Sequence, residues 1–212
     1  MPVEPIEALR PRKTPRQARS AATVDAIFEA TIQVLLIDGH DRLTTTRVAE
    51  RAGVSVGTMY QYFPHKQALL YAVLESFLEL TALSVEEASG RFAGAGLVEM
   101  SDGLVNTFLD AKMRQLPGSR ALYAVASYLD SADLIDHVVQ RIHLALKRLL
   151  ASASDASFDD IESVSLALLS MMGGSVRAFV ERDSSPGSLA VLRAQLPVMA
   201  RSYLLASARR WD

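Results

Sequence analysis

The stretch TTRVAERAGVSVGTMYQYFPHK, residues 45–66, decides the fold of this chain. Val48 and Ala52 place apolar groups on one face of a first short helix, and Val54 and Met59 anchor a second one against it. Ala49 supplies a small side chain where the two helices must cross closely. Four residues on, Gly53 takes the left-handed backbone that ends the first helix and turns the chain. Thr45 stands just before the first apolar pattern and Ser55 just before the second, so each is read as an N-cap whose oxygen accepts from otherwise unpaired amides. The unit is a helix-turn-helix with its own small core.

The second of these helices, Ser55 to Tyr62, carries Gly57 and Thr58 in its first turn, where the backbone can approach base edges or phosphates. Tyr60 and Tyr62 read as too polar for a deep core, with hydroxyls able to reach phosphate oxygens. Lys66, at the start of the next helix, reads as a phosphate clamp beside a helix N-terminus that favours anions, and Arg47 adds a further cation. Taken singly, each of these residues is equally at home in an ordinary helical hairpin. The ordered set points to double-stranded DNA, with Thr45, Arg47, Ser55, Gly57, Thr58, Tyr60, Tyr62 and Lys66 as the contact residues.

The segment from about Ser20 to Phe77 resembles the N-terminal domain of TetR-family transcriptional regulators, and SVGTMYQYFPHK carries the resemblance. It covers somewhat over a quarter of the chain. His65 and Gln67 depart from the family pattern, at a capping position and at a position that is commonly acidic; His65 reads as simply exposed. The resemblance implies an all-helical homodimer, with three N-terminal helices for DNA and a larger helical domain for a small effector whose binding releases the operator. A repressor is the default on that basis.

The chain has 212 residues, half of them hydrophobic, and a net charge of −2. From Arg10 through Arg12, Lys13, Arg16 and Arg19 no acidic residue intervenes before Asp25. Residues 1–18 therefore read as a flexible basic arm that can lie along phosphates or enter a minor groove. Residues 19–65 form the DNA-binding domain and 66–212 the effector-binding and dimerisation domain. There is no cysteine, which excludes disulfides and thiolate metal sites. No signal peptide is recognised at the start and no uninterrupted apolar run reaches the roughly 18 residues of a membrane span, so the expectation is a cytoplasmic protein without a membrane partner.

Helical spacing marks about nine helices and no strand, an all-α chain. Helix one carries Val24, Ile27, Phe28, Thr31 and Leu35. Helix four runs from Lys66 past Leu80 to a break at Gly90–Gly96, and helix five ends at Pro117-Gly118. Helix six is read as Ser119 to Leu129, and helix seven follows with Ile135, Val139, Ile142, Leu146 and Leu149 on one face. Helices eight, Phe158 to Arg182, and nine, Ser188 to Arg209, are apolar over too much of their circumference for one buried face. They are the expected homodimer interface, with Gly173 and Gly174 allowing close approach. In helix nine the expected stripe is Leu189, Leu192, Leu196, Met199 and Tyr203, with a kink at Pro197.

Phe108, Met113, Tyr123, Tyr128, His143, Met171 and Met172 are the candidate lining of an effector site for an apolar or aromatic small molecule, each also compatible with plain core packing. No metal site, no cofactor and no catalytic residue is expected: His137 and His143 are six residues apart, and His143 with Asp130 has no supporting nucleophile motif. The alternatives are an effector-independent architectural DNA-binding protein and, more remotely, a helical enzyme.

Overall fold

The computed structural model describes residues 18–210 except 115, 127, 183 and 184, without the side chains of 18, 19, 117, 124 and 210. All but the last residue of the basic arm assigned to 1–18 lies outside the described residues. Among those described, nine helices follow one another: α1 (Ala18–Asp38), α2 (Thr45–Ala52), α3 (Val56–Tyr62), α4 (Lys66–Arg91), α5 (Leu97–Arg114), α6 (Leu116–Ala126), α7 (Ala132–Ala151), α8 (Ile161–Arg182) and α9 (Pro186–Ser207). The all-α expectation holds. One extended pairing is also present: β1 (Ala156–Ser157) lies antiparallel to β2 (Arg209–Arg210), with Ala156 opposite Arg210.

Boundaries differ where glycine and proline were read as stops. α4 runs through Gly90 to Arg91. α6 starts at Leu116, so Pro117 falls in its first turn, where a missing amide costs nothing. α9 holds Pro197 in its interior, where the sequence predicts a kink and not a stop. One helix start also lies later than the expected Phe158: α8 begins at Ile161, where Asp160 accepts from the amide of Ser163 at 3.0 Å. The Asp160 carboxyl is held below its ordinary pKa, first by its hydrogen bonds to Ser163.

The chain divides into two compact units, residues 1–77 with 117–134, and residues 78–116 with 135–212. The division does not follow the expected boundary at residue 65. In the first unit, α1 buries Ile27, Ala30, Val34 and Leu35, α2 buries Val48 and Ala49, and the first half of α4 adds Leu69, Leu70 and Val73 to the same core. Phe28 and Phe63 pack with ring centroids 5.9 Å apart. α6 joins this unit because Gly118 lets it lie close to α1: a Cβ there would meet Ile32 side-chain atoms at 3.2 Å.

In the second unit, α9 lays Leu196, Ala200 and Leu204, one face at four-residue spacing, into the core. Arg201 forks onto Asp102 of α5 at 2.6 and 2.8 Å and Arg193 reaches Asp110 at 2.9 Å. Arg141 of α7 joins Glu79 at 2.5 Å and Glu86 at 2.9 Å, two glutamates about two turns apart on α4. Asp155 caps α5 from the far side of the sequence, accepting from Leu97 N at 2.8 Å.

Three helical stretches, Ser20–Asp38, Lys66–Arg91 and Ile161–Arg182, are long and apolar enough to cross a membrane by length and composition, although charged residues interrupt each of them. In Lys66–Arg91 the apolar surface has an internal use, since 67% of its most apolar window is buried within the chain. For Ile161–Arg182 the share is only 39%.

The second unit also buries a lysine. Lys112 is 6% exposed, its ammonium donates to Thr81 Oγ1 at 2.8 Å and lies 5.9 Å from the centroid of the Phe108 ring. Burial pushes its pKa down to about 8 from 10.5. A depressed lysine costs stability while folded and unfolded chains are both protonated. That cost is full below about pH 8 and is relieved as pH climbs toward 10.5, because only the unfolded state then still binds the proton. Lys112→Met is therefore expected to stabilise the chain at pH 7 by about 2 kcal/mol, after allowing about 1 kcal/mol for the lost hydrogen bond. Denaturant unfolding at pH 7 and pH 10 measures it: the native chain should gain stability over that interval and the variant should not. A variant less stable at pH 7, with the native pH slope, would show that the charge is well solvated where it sits.

Candidate nucleic-acid interface

α2 and α3 are held at right places by local chemistry. Gly53 has φ 67° and ψ 28°, the left-handed conformation, and the amide of Val54 donates to Ala49 O at 3.0 Å, closing the end of α2. Ser55 caps α3 as expected, its Oγ accepting from Thr58 N at 2.9 Å and lying 2.8 Å from Thr58 Oγ1. Met59 is fully buried and, with Tyr62 three residues later on the same face, fixes the rotation of α3. Val56, Gly57, Tyr60 and Gln61 are left facing solvent. At Gly57 an added Cβ would meet nothing but Ser55 Oγ, at 3.7 Å, so the helix surface there is open to a close approach.

Several expected contact residues sit differently. The cap of α2 is Thr44, whose side chain accepts from Arg47 N at 3.2 Å, and Thr45 is the first helical residue. Thr45 is buried, and its hydroxyl donates to the Tyr60 oxygen at 3.3 Å. That bond fixes the half-exposed Tyr60 ring on the outer face of α3. Tyr62 is 6% exposed, a correction to its reading as too polar for the core. Arg47 faces α1: its guanidinium lies 3.5 Å from Asp38 and donates to Arg42 O at 3.3 Å. Thr45 and Arg47 are about 200° apart around α2, so the two cannot share a face.

Lys66 does not stand free as a clamp. Its Nζ donates to His40 O at 2.5 Å, pinning the α1–α2 turn to the start of α4, and burial lowers its pKa against the opposing pull of Asp41. His65 is not a bystander either. Its Nδ1 accepts from Ala68 N at 3.1 Å, so it caps α4 in the tautomer that carries its proton on Nε2. The outer surface thus gathers Ser55, Gly57, Thr58 and Tyr60 from the expected set. It adds Thr44, Thr46, Val56 and Gln61, which sequence reasoning missed; Thr44 is itself the cap of α2 and Val56 follows the cap of α3.

The seven candidate effector-lining residues do not fall in one unit. Tyr123 and Tyr128 belong to the first, where Tyr123 meets Phe77 edge-on at 6.4 Å. Tyr128 is 66% exposed and lies flat on His40, centroids 4.6 Å apart and planes 8° from parallel, which corrects its place as an interior lining group. The other five belong to the second unit. Phe108 and Met172 are buried and Met113 and Met171 half-buried. His143 Nε2 bonds Ser165 Oγ at 2.8 Å, and Glu162 beside it pairs with Lys147. Lys112 is the polar group missed there. It follows Leu104 and Phe108 at four-residue steps, so its place on the buried stripe was legible. Among the described residues no group of three or more His, Asp or Glu side chains could hold a metal ion.

Comparison with known proteins joins these observations. Residues 27–73 match the family model for bacterial regulatory proteins of the tetR family, and residues 97–204 match the model described as tetracyclin repressor-like, C-terminal domain. The nucleoid occlusion factor SlmA of Haemophilus influenzae is 36% identical over 103 residues, 48% of this chain and 46% of the relative. The transcriptional repressor KstR of Mycolicibacterium smegmatis is 30% identical over 114 residues, 53% of this chain and 55% of the relative. The chain thus spans about half the length of the curated relatives it matches. The fatty acid degradation regulator FadR of Bacillus halodurans has the same fold, with a TM-score of 0.69 and 18% identity over 89% of this chain and 96% of that one. With its head matched by one family model and the greater part of its body by the other, the chain belongs to the TetR family of bacterial regulatory proteins.

Proposed function

We propose that this protein is a cytoplasmic, dimeric DNA-binding transcriptional regulator, a repressor that leaves a palindromic operator when a small apolar or aromatic effector binds its second unit. The observation that carries the reading is α3: seven residues, capped by Ser55, rotated by buried Met59 and Tyr62 so that Val56, Gly57, Tyr60 and Gln61 project outward. A short helix with one face locked and the other bare of ion pairs is suited to enter a major groove. The match to a named repressor supports the sign of regulation.

The dimer rests on α8 and α9. Leu166 of α8 and Val191, Val198 and Met199 of α9 are exposed; Met199 belongs to the stripe expected at the interface, whereas Leu196 of the same stripe is buried within the chain. Among the described residues, nothing outside the helix's own backbone lies within 4 Å of a Cβ added at Gly173 or Gly174, so the close approach they permit is not used there. A second copy would cover this face and set two heads for successive grooves about 34–36 Å apart.

The reading is tested by selecting duplexes from a random pool with the purified chain and measuring their affinity by fluorescence anisotropy. A palindromic consensus is expected, and Tyr60→Ala or Gln61→Ala should each lower affinity by about 1–3 kcal/mol if the side chain reads a base. No enriched sequence at low salt would end this reading. The relatives named nucleoid occlusion factors favour a second one, in which the same head binds DNA to mark the nucleoid and no effector is needed. Genome-wide binding separates the two: sites beside promoters support regulation, and sites dispersed without regard to promoters support the second.

A further inference from the structure

A cleft of about 610 Å³ opens in the first unit between the end of α1, the turn from Gly39 to Arg42, and α6 with the following Tyr128. Its volume lies within the range of small-molecule sites, about 300–1,000 Å³. Leu36 and Val125 are among its apolar lining, and Leu36 is half exposed. One part of the lining is the stacked pair of His40 and Tyr128, flat rings 4.6 Å apart. A large tyrosine ring 66% exposed beside an exposed leucine is surface that water solvates poorly.

The charges around it are unequal in their commitments. Asp38 faces Arg47 at 3.5 Å and Asp41 faces His40 at 3.3 Å. Arg42 and Arg120, which also line the cleft, make no ion pair among the described residues. Two uncommitted guanidiniums beside flat apolar surface match an anion with an aromatic body, since guanidinium binds a carboxylate with two parallel hydrogen bonds and the rings supply stacking. The nearby carboxylates of Asp38 and Asp41 would repel a phosphate dianion more than a single negative charge.

We propose that this cleft is a small-molecule site distinct from the second unit, and that it takes a planar aromatic carboxylate, ring against the His40–Tyr128 surface and carboxylate on Arg120 and Arg42. The site touches the reading head through its turn. His40 O accepts from Lys66 at the start of α4, and Arg42 O accepts from Arg47 of α2. An occupant that moves this turn moves two of the braces on α2 and α4, so occupancy and DNA affinity are linked.

The experiment is calorimetric titration of the full chain with 2-naphthoate, using 2-naphthamide as its neutral counterpart. One saturable site per chain is expected, with Arg120→Gln and Tyr128→Ala each weakening it by about tenfold or more, and the amide binding weaker by a similar factor. Both substituted residues are exposed, so matching thermal unfolding of the variants shows that the fold is intact. No saturable binding up to about 1 mM would overturn the proposal, as would binding that neither variant weakens, which puts the probe elsewhere in the chain. The result is read without DNA, so its failure leaves the regulator reading untouched and the converse also holds.

Discussion

Replacing Met59 with alanine is expected to unfold α3 and abolish specific DNA binding. A helix of seven residues is far below the roughly 12–15 residues at which an isolated helix becomes even marginal in water, so α3 exists because its inner face is packed. Met59 is fully buried there, while Tyr62 is the next most enclosed group. Truncating a buried methionine to alanine costs about 2–5 kcal/mol, and here the loss falls on one small layer of the first unit. The direct reporters are the amides of Met59 and Phe63, which donate to Ser55 O at 3.0 Å and Met59 O at 2.9 Å. Hydrogen exchange at both should accelerate by about 30-fold or more, in proportion to the lost stability. Met59→Leu, which conserves volume, should cost under about 1.5 kcal/mol and keep the protection. Unchanged exchange in the alanine variant would mean that α3 does not depend on this anchor. The comparison with Tyr60→Ala matters, because that variant should weaken DNA binding while leaving the exchange rates of α3 as they are.

What was legible in the sequence was what short range decides. The turn at Gly53 needs positive φ, and the cap at Ser55 needs a hydroxyl three residues before an amide, and both stand as read. Where three threonines follow one another, Thr44 to Thr46, any of them can cap. The choice of Thr44 is made by Thr45 turning inward to Tyr60, fifteen residues away. Tyr62 is the instructive error. Its spacing from Met59 already placed it on the buried face, and weighting its hydroxyl over its position gave the wrong side. Arg47 and Thr45 are separated by the same geometry: a two-residue step puts them on opposite sides of α2, with Thr45 buried and Arg47 exposed beside Asp38.

The remaining misreadings depend on partners distant in sequence. Lys66 looked like a free cation until the carbonyl of His40, twenty-six residues earlier, was brought to it. Pro117-Gly118 looked like a stop, but Gly118 serves the approach of α6 to Ile32, which no local pattern encodes. The effector lining suffered most, because aromatic and thioether side chains carry no positional signal of their own. Tyr128 lies at the surface against His40, and among the described residues the buried charged group of the second unit is Lys112, which the sequence reading does not single out.

Gly174→Glu is expected to separate dimerisation from folding. Gly174 is exposed in the interior of α8, with nothing within 4 Å of an added Cβ, so the new side chain meets no obstacle among the described residues. A glycine inside a helix costs about 1 kcal/mol relative to a good helix former, so the substitution should leave the single chain as stable as before or slightly more so. In the proposed dimer the same position lies where two copies come close, and each would then bring a carboxylate into an apolar contact, a cost of several kcal/mol. Sedimentation equilibrium should show a monomer, and affinity for a palindromic duplex should fall by about 10²- to 10⁴-fold, because the second head no longer binds as part of one molecule. A duplex carrying one half-site provides the internal control. Only one head can engage it, so the native chain and the variant should bind it alike, and a loss confined to the full palindrome traces the defect to the body and not to α3. A variant that sediments as the native chain does, with full affinity for the palindrome, would remove α8 from the interface and with it the role given to the exposed apolar face of α9.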